Sequence, residues 1–206
     1  MRKTVSRATL GRVPVYLKYL ESLPEDVTCV SATKIAKGLK LGDVLVRKDL
    51  QAISGEGKPK VGYEKDDLIS KLGLYLDNID KKNNAIIVGA GKLGCALLCY
   101  QGFGDYGVEI VAAFDNDKNK IGQCVSGKCI HDISELESYC KDNSVSIGII
   151  AANGPSAQEI CDKLVSIGVK AIWNFAPVAL NVPEGIIVQQ ENLALSLAYL
   201  NVLINK

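Results

Sequence analysis

Two groups of residues in this 206-residue chain have types and spacings that could do chemistry. The first is Gly89-Ala90-Gly91-Lys92-Leu93-Gly94, which directly follows the apolar run Ile86-Ile87-Val88. A strand running into G-x-G-x-x-G and then a helix is a phosphate cradle. Gly89 permits a tight turn, Gly91 lets the backbone approach a pyrophosphate, and Gly94 lets the helix lie close to the strand. The helix start then offers free N–H groups and the positive end of a dipole. Asp115 follows Gly94 by 21 residues, where a carboxylate would accept hydrogen bonds from an adenine ribose. Its charge would repel a 2′-phosphate, which favours NAD(H) over NADP(H); Asp117 is the alternative acid. The second group is basic. Residues 1–60 carry a net charge of +6 and the rest of the chain −5, and the run Ser54–Tyr63 mixes glycines with Lys58 and Lys60. Such a segment suits a phosphate polyanion.

A reaction centre is not expected. The only histidine is His131, Lys92 and Tyr100 have no matched acid or serine, and the seven cysteines have no zinc-knuckle spacing. Neither a catalytic residue nor a metal ligand is predicted.

The elements that must position these groups follow from periodicity. Val13–Leu23 has apolar residues at helical spacing, with Pro14 suited to a first turn. Ser31 caps a second helix with Ile35, Ala36 and Leu39 on its apolar face. Asp43 is placed to cap a third, with Val44, Val46, Leu50 and Ile53 expected inside. The glycines and Pro59 between Ser54 and Tyr63 forbid helix and favour a hairpin or loop. Asp66–Leu76 reads as a fourth helix. Three short helices and a basic hairpin outline a winged helix-turn-helix.

Lys81-Lys82-Asn83-Asn84 reads as a polar hinge. Beyond it, strand patterns at Ala85–Val88, Glu109–Phe114, Val145–Ala151 and Val169–Trp173 alternate with helical patterns at 92–102, 133–142 and 155–167. Alternation of this kind predicts a Rossmann-type doubly wound parallel sheet with right-handed crossovers. Ile186–Val188 is a candidate last strand. Asn192–Ile204 is a helix apolar on nearly every face, which must bury itself against a second subunit. The expected fold is α/β, with a winged-helix domain at 1–80, a nucleotide domain at 81–190 and a dimerisation helix at 191–206.

Composition fits a folded soluble protein, with 48% hydrophobic and 23% charged residues. No apolar run reaches the roughly 20 residues that cross a bilayer, and no secretory signal is expected. A cytoplasmic location follows, and all seven cysteines read as reduced thiols. One rival reading is a small NAD- or CoA-binding enzyme whose amino-terminal helices serve only dimerisation.

Several stretches together resemble the Rex family of redox-sensing transcriptional repressors over essentially the whole chain. They are Arg12-Val13-Pro14-Val15-Tyr16-Leu17, Val46-Arg47-Lys48-Asp49-Leu50, Gly62-Tyr63, Gly89–Gly94, Tyr100-Gln101-Gly102-Phe103, Phe114-Asp115-Asn116-Asp117, Asn174-Phe175-Ala176-Pro177 and Val182-Pro183. The resemblance implies a homodimer that binds a palindromic operator in double-stranded DNA and releases it when NADH accumulates over NAD+. It puts Arg47 and Lys48 on a recognition helix, Lys58 and Lys60 on the wing, and Arg12 on the DNA backbone near the dimer axis. It also places Tyr100, Asn174, Phe175 and Leu193 around the nicotinamide, Leu193 arriving on a domain-swapped terminal helix. Three departures stand out. Gln51-Ala52-Ile53 differs from the usual Ser-Tyr-Phe type of stretch, and Lys18 and Asn192 replace an arginine and an aspartate that can form a ligand-switched pair.

Overall fold

The computed structural model describes residues 5–76 and 82–205. Lys81 of the expected hinge therefore lies outside the described residues. The chain divides into two compact units, Met1–Asp80 and Lys81–Lys206.

The first unit is built on α1 (Arg7–Glu21), α2 (Ala32–Leu39), α3 (Asp43–Ser54) and α4 (Lys65–Leu76). Two short strands, β1 (Cys29–Val30) and β2 (Tyr63–Glu64), pair antiparallel. Helix α1 begins earlier than Val13, because the Ser6 hydroxyl caps it and accepts the Thr9 N–H at 3.1 Å. Pro14 is thus inside the helix instead of in its first turn. It removes one backbone donor, and burial of Val13, Tyr16 and Leu20 at helical spacing offsets that loss. Ser31 caps α2 as expected, accepting from Lys34 N–H. Gly42, not Asp43, occupies the cap position of α3, and Asp43 is its first helical residue. Val46 and Leu50 are buried, whereas Val44 is exposed instead of packed inside. Val46 and Leu50 meet Ile35, Leu68 and Leu72 in one core.

The second unit is a seven-stranded sheet. Its strands are β3 (Asn83–Val88), β4 (Val108–Asp115), β5 (Cys124–Val125), β6 (Lys128–Asp132), β7 (Val145–Ile150), β8 (Ala171–Asn174) and β9 (Ile187–Gln190). They lie in the order β5-β6-β4-β3-β7-β8-β9, all parallel except β5. Without β5 this is the Rossmann order, whose two halves diverge between β3 and β7. The crossover helices are α5 (Lys92–Cys99), α6 (Leu136–Asp142) and α7 (Gly154–Ser166). Alternate residues of β3 feed two cores. Ile86 and Val88 pack with Phe114, Leu136 and Leu164, while Ala85 and Ile87 pack with Leu98 and Ile110. The β5–β6 hairpin has no signature in the sequence pattern, because β5 is only two residues long and carries no periodicity.

The last helix, α8 (Leu193–Ile204), is capped by Asn192, whose side chain accepts from Leu195 N–H at 3.0 Å. Its large apolar side chains are 45–81% exposed, so the helix covers none of its own unit's core. Among the described residues no helix is long and apolar enough to cross a membrane.

The expectation that all seven cysteines are reduced is corrected by a Cys124–Cys129 disulfide. The sequence gives no reason to pair two cysteines five apart until the hairpin places them opposite one another.

Candidate functional site: a nucleotide cleft and a DNA-reading face

The nucleotide cleft opens at the carboxyl ends of β3, β4 and β7. It has a volume of about 430 Å³ and is walled by Gly89, Gly91, Asp115, Asn116, Lys120, Ala151, Asn153 and Ser156, among others. Gly89 turns with φ +106°, a conformation that side chains resist, and a Cβ there would strike the Ala151 backbone. A Cβ on Gly94 would collide with the Gly89 carbonyl oxygen, so both glycines are required by packing. A Cβ on Gly91 would meet nothing within 4 Å. That open space, above the amino terminus of α5, is where a pyrophosphate fits. Helix α7 also starts at the cleft, with the Asn153 side chain accepting from Ser156 N–H at 3.2 Å.

Asp115 ends β4 and is 8% exposed. Its Oδ2 accepts from Ala90 N–H at 2.8 Å and from Lys120 Nζ at 3.0 Å, and its Oδ1 accepts from Asp117 N–H at 2.9 Å. Burial alone would push its pKa up. The backbone amides and the Lys120 ammonium outweigh that and hold it below the usual carboxylate range. A carboxylate accepts about four hydrogen bonds, so the charged group retains capacity for a ribose hydroxyl. Lys120 was missed by sequence reasoning, since a lysine five residues past an acid in a loop has no local signature. It reaches Asp117 as well, at 3.6 Å. The residues present therefore fit a dinucleotide.

The expected nicotinamide wall is only partly assembled. Ala90 is buried, Leu93 half-buried and Lys92 exposed. Tyr100 and Leu193 are both exposed and, like Phe175, are not among the residues walling this cleft. A row of rings joins two of them, Tyr100 to Phe103 at 4.9 Å, Phe103 to Trp173 at 5.8 Å and Trp173 to Phe175 at 4.5 Å between centroids. Asn174 is fully buried. Its amide donates to the Val178 carbonyl at 2.9 Å and to Gln190 Oε1 at 2.7 Å, and its oxygen accepts from Ala176 N–H at 3.0 Å. In this conformation Asn174 shapes the Phe175–Val178 turn instead of facing the cleft.

The candidate DNA-reading face belongs to the first unit. Along α3 the exposed positions are Val44, Leu45, Arg47, Lys48 and Gln51, and the buried ones are Val46, Asp49 and Leu50. Arg47 Nη2 donates to Asp43 Oδ2 at 2.8 Å, one turn back, in a solvated pair that DNA phosphates could displace. The wing is a tight loop in which Lys58 N–H donates to Gly62 O at 2.7 Å and Gly62 N–H to Lys58 O at 2.8 Å. Lys60 sits at φ +65° at its tip. Arg47, Gln51, Lys58 and Lys60 line one groove of about 560 Å³ between α3, the wing and the start of α2. Lys48 is exposed on α3 but is not part of that lining.

Arg12, expected to contact the DNA backbone, is held against Asp49. Its Nε donates to Asp49 Oδ2 at 2.6 Å and its Nη2 to Asp49 Oδ1 at 2.9 Å. Tyr16 Oη donates to Asp49 Oδ2 at 2.6 Å, and Thr9 Oγ1 to Asp49 Oδ1 at 3.0 Å. A buried carboxylate needs such partners, and Arg12 is the only cation that ion-pairs with it among the described residues. The network fixes the roll of α3 against α1. It therefore aims Arg47 and Lys48, which immediately precede Asp49.

Comparison with known proteins agrees with both halves. Residues 4–51 match a family described as putative DNA-binding protein N-terminus, and residues 80–178 match the CoA binding domain family. The redox-sensing transcriptional repressor Rex of Carboxydothermus hydrogenoformans is 40% identical, over 95% of this chain and 94% of its own. The crystal structure of RSP in complex with NAD+ and operator DNA is similar with TM-score 0.86 and 33% identity, covering 98% of this chain and 93% of that one. RSP in complex with NADH gives TM-score 0.83 at 33% identity, over 98% and 94%. A winged-helix head and a dinucleotide cleft in one chain define a transcription regulator with a small-molecule input. Within that class the chain belongs to the Rex family of redox-sensing transcriptional repressors.

Proposed function

We propose that this chain represses transcription as a homodimer on a palindromic operator, and that NADH releases it while NAD+ does not. The observation that carries the reading is the pairing, in one chain, of a groove-reading α3 with a cleft whose buried Asp115 still has acceptor capacity. No catalytic step is needed. When bound, the dinucleotide supplies a ring that is cationic when oxidised and neutral when reduced. Gly89, Gly91 and the start of α5 hold the pyrophosphate, and Asp115 holds the ribose. Tyr100 and Phe175, with Leu193 from a second copy, form an apolar wall that penalises the cation and accepts the neutral ring. Closing that wall respaces the two heads relative to the half-sites.

Arg47 reads a guanine and Lys48 a base edge or phosphate, while Lys58 and Lys60 grip the backbone. Arg47→Ala is expected to cost about 1–3 kcal/mol on the operator and to erase its preference over a scrambled duplex. Lys58→Ala should weaken both duplexes alike and lower the salt slope by about one. Equal losses on both duplexes for Arg47→Ala would refute the assignment.

The coupling must be reciprocal. If NADH weakens operator binding, saturating operator weakens NADH binding by the same factor, about 5–150-fold. Fluorescence titration of NADH with and without operator measures it. Identical affinities would rule out the switch.

A further inference from the structure

The β5–β6 hairpin holds a pair of cysteines for which the nucleotide reading has no use. Its turn is Ser126-Gly127, with φ +52° and +79°, the signature of a two-residue turn that suits tightly twisted strands. Val125 and Lys128 close that turn, so Cys124 and Cys129 face each other one step further along. Ile130 N–H donates to Gln123 O at 2.8 Å on their far side. The cysteines thus occupy a non-hydrogen-bonded position of the ladder, where facing side chains come closest, with Cα atoms 4.0 Å apart. Cys124 is exposed and Cys129 half-buried, so a small reagent reaches the pair from solvent. Cys140 and Cys161 are different: both are buried, and burial pushes the Cys140 thiol up to about 11.

The hairpin is also wired to the ribose end of the cleft. Gln123, the residue before Cys124, donates from its backbone N–H to Lys120 O at 3.0 Å and from Nε2 to Asn119 O at 2.7 Å. Lys120 is the ammonium that holds Asp115. On the other limb, β6 pairs with β4 as far as Asp115 opposite Asp132. Closing the hairpin therefore restrains both limbs that support the carboxylate.

We propose that Cys124 and Cys129 form a reversible dithiol–disulfide site for low-molecular-weight disulfides, and that its closed form preorganises the ribose end of the dinucleotide cleft. This deepens the dinucleotide reading and rests on it. In the closing step one cysteine thiolate attacks a small disulfide RSSR and expels RS⁻. The second thiolate attacks the protein sulfur of that mixed disulfide and expels another RS⁻. Two electrons pass from the cysteine pair to RSSR, and the two thiol protons end on the two RSH released. A disulfide in a protein of reducing surroundings is ordinarily of this exchangeable kind.

The test uses the full-length protein equilibrated in glutathione buffers from fully reduced to fully oxidised. Alkylation and peptide mass spectrometry read the state of Cys124 and Cys129, and fluorescence titration reads NADH affinity. The expected result is that the pair interconverts, and that the oxidised protein binds NADH about three- to tenfold more tightly than the reduced one. Cys124→Ser and Cys129→Ser should each bind like the reduced form in every buffer. A pair that stays alkylatable even in pure glutathione disulfide overturns the proposal. So does equal NADH affinity in both states, which would leave the dinucleotide reading intact. Absence of NADH binding in both states, with the pair still cycling, would overturn the dinucleotide reading and the coupling together.

Discussion

Asp49→Ala is expected to destabilise the amino-terminal unit by about 3–5 kcal/mol, the usual cost of removing one member of a buried ion pair. The reason is the number of groups it leaves behind. Arg12, Tyr16 and Thr9 all donate to this one carboxylate, which is 4% exposed. Alanine would leave two buried hydroxyls without their acceptor and a partly exposed guanidinium without its counter-ion. In a unit of this size the melting temperature should fall by more than about 10 °C, read by circular dichroism of the full chain. Asp49→Asn keeps the shape and an acceptor but not the charge, and should recover only part of the loss. A melting temperature for Asp49→Ala within about 2 °C of the unaltered chain would sink the account. The same network sets a pH window. Burial opposes ionisation of Asp49, but the Arg12, Tyr16 and Thr9 hydrogen bonds win and hold its pKa below the ordinary value. Its contribution is therefore present above the unfolded carboxylate pKa of about 4 and is lost as pH falls through the lower folded value. Tyr16 is pushed up to about 12, first by burial and then by its hydrogen bond to Asp49. Its share is present below about pH 10 and disappears as pH rises towards 12.

The second large effect concerns α8. Replacing Leu197 and Leu200 together by glutamate is expected to lower operator affinity by about 10²–10⁴-fold, although neither residue is near the reading face in sequence. Both are more than half exposed in the isolated chain, so the change removes nothing from its own unit's core. What it removes is the surface on which, in the proposed homodimer, a second copy closes. A single head then binds one half-site without the effective concentration supplied by its twin. Sedimentation should show a monomer, and the melting temperature should stay close to that of an undisturbed protomer. A variant that remains dimeric and binds operator normally would exclude α8 as the dimer element.

Much of this was legible along the chain. The glycine turn, the strand before it and the acid after it are set by short-range rules. A strand, a tight turn and a helix must follow one another within a few residues, and only glycine tolerates Gly89's conformation. The Ser31 cap was equally local, since it bonds an amide three residues on. Even the exposure of α8 follows from its sequence, because no arrangement of a helix apolar on all faces hides it within one small unit.

Partner choice was not legible, because residues far apart in sequence meet only when elements pack. Arg12 meets Asp49, 37 positions away, only because α1 and α3 come together. Asn174 gains Gln190 as a partner only because β9 pairs beside β8. Lys120 became part of the site only when a loop folded it back onto Asp115, and Cys124 acquired a partner only when the chain reversed at Ser126-Gly127. The sequence by itself determined the main helices and strands, the glycine turn and the basic amino-terminal segment. Tertiary structure alone decided which charges stay free to do the reading, because burial compels each polar group to take whatever partner the packing puts within reach.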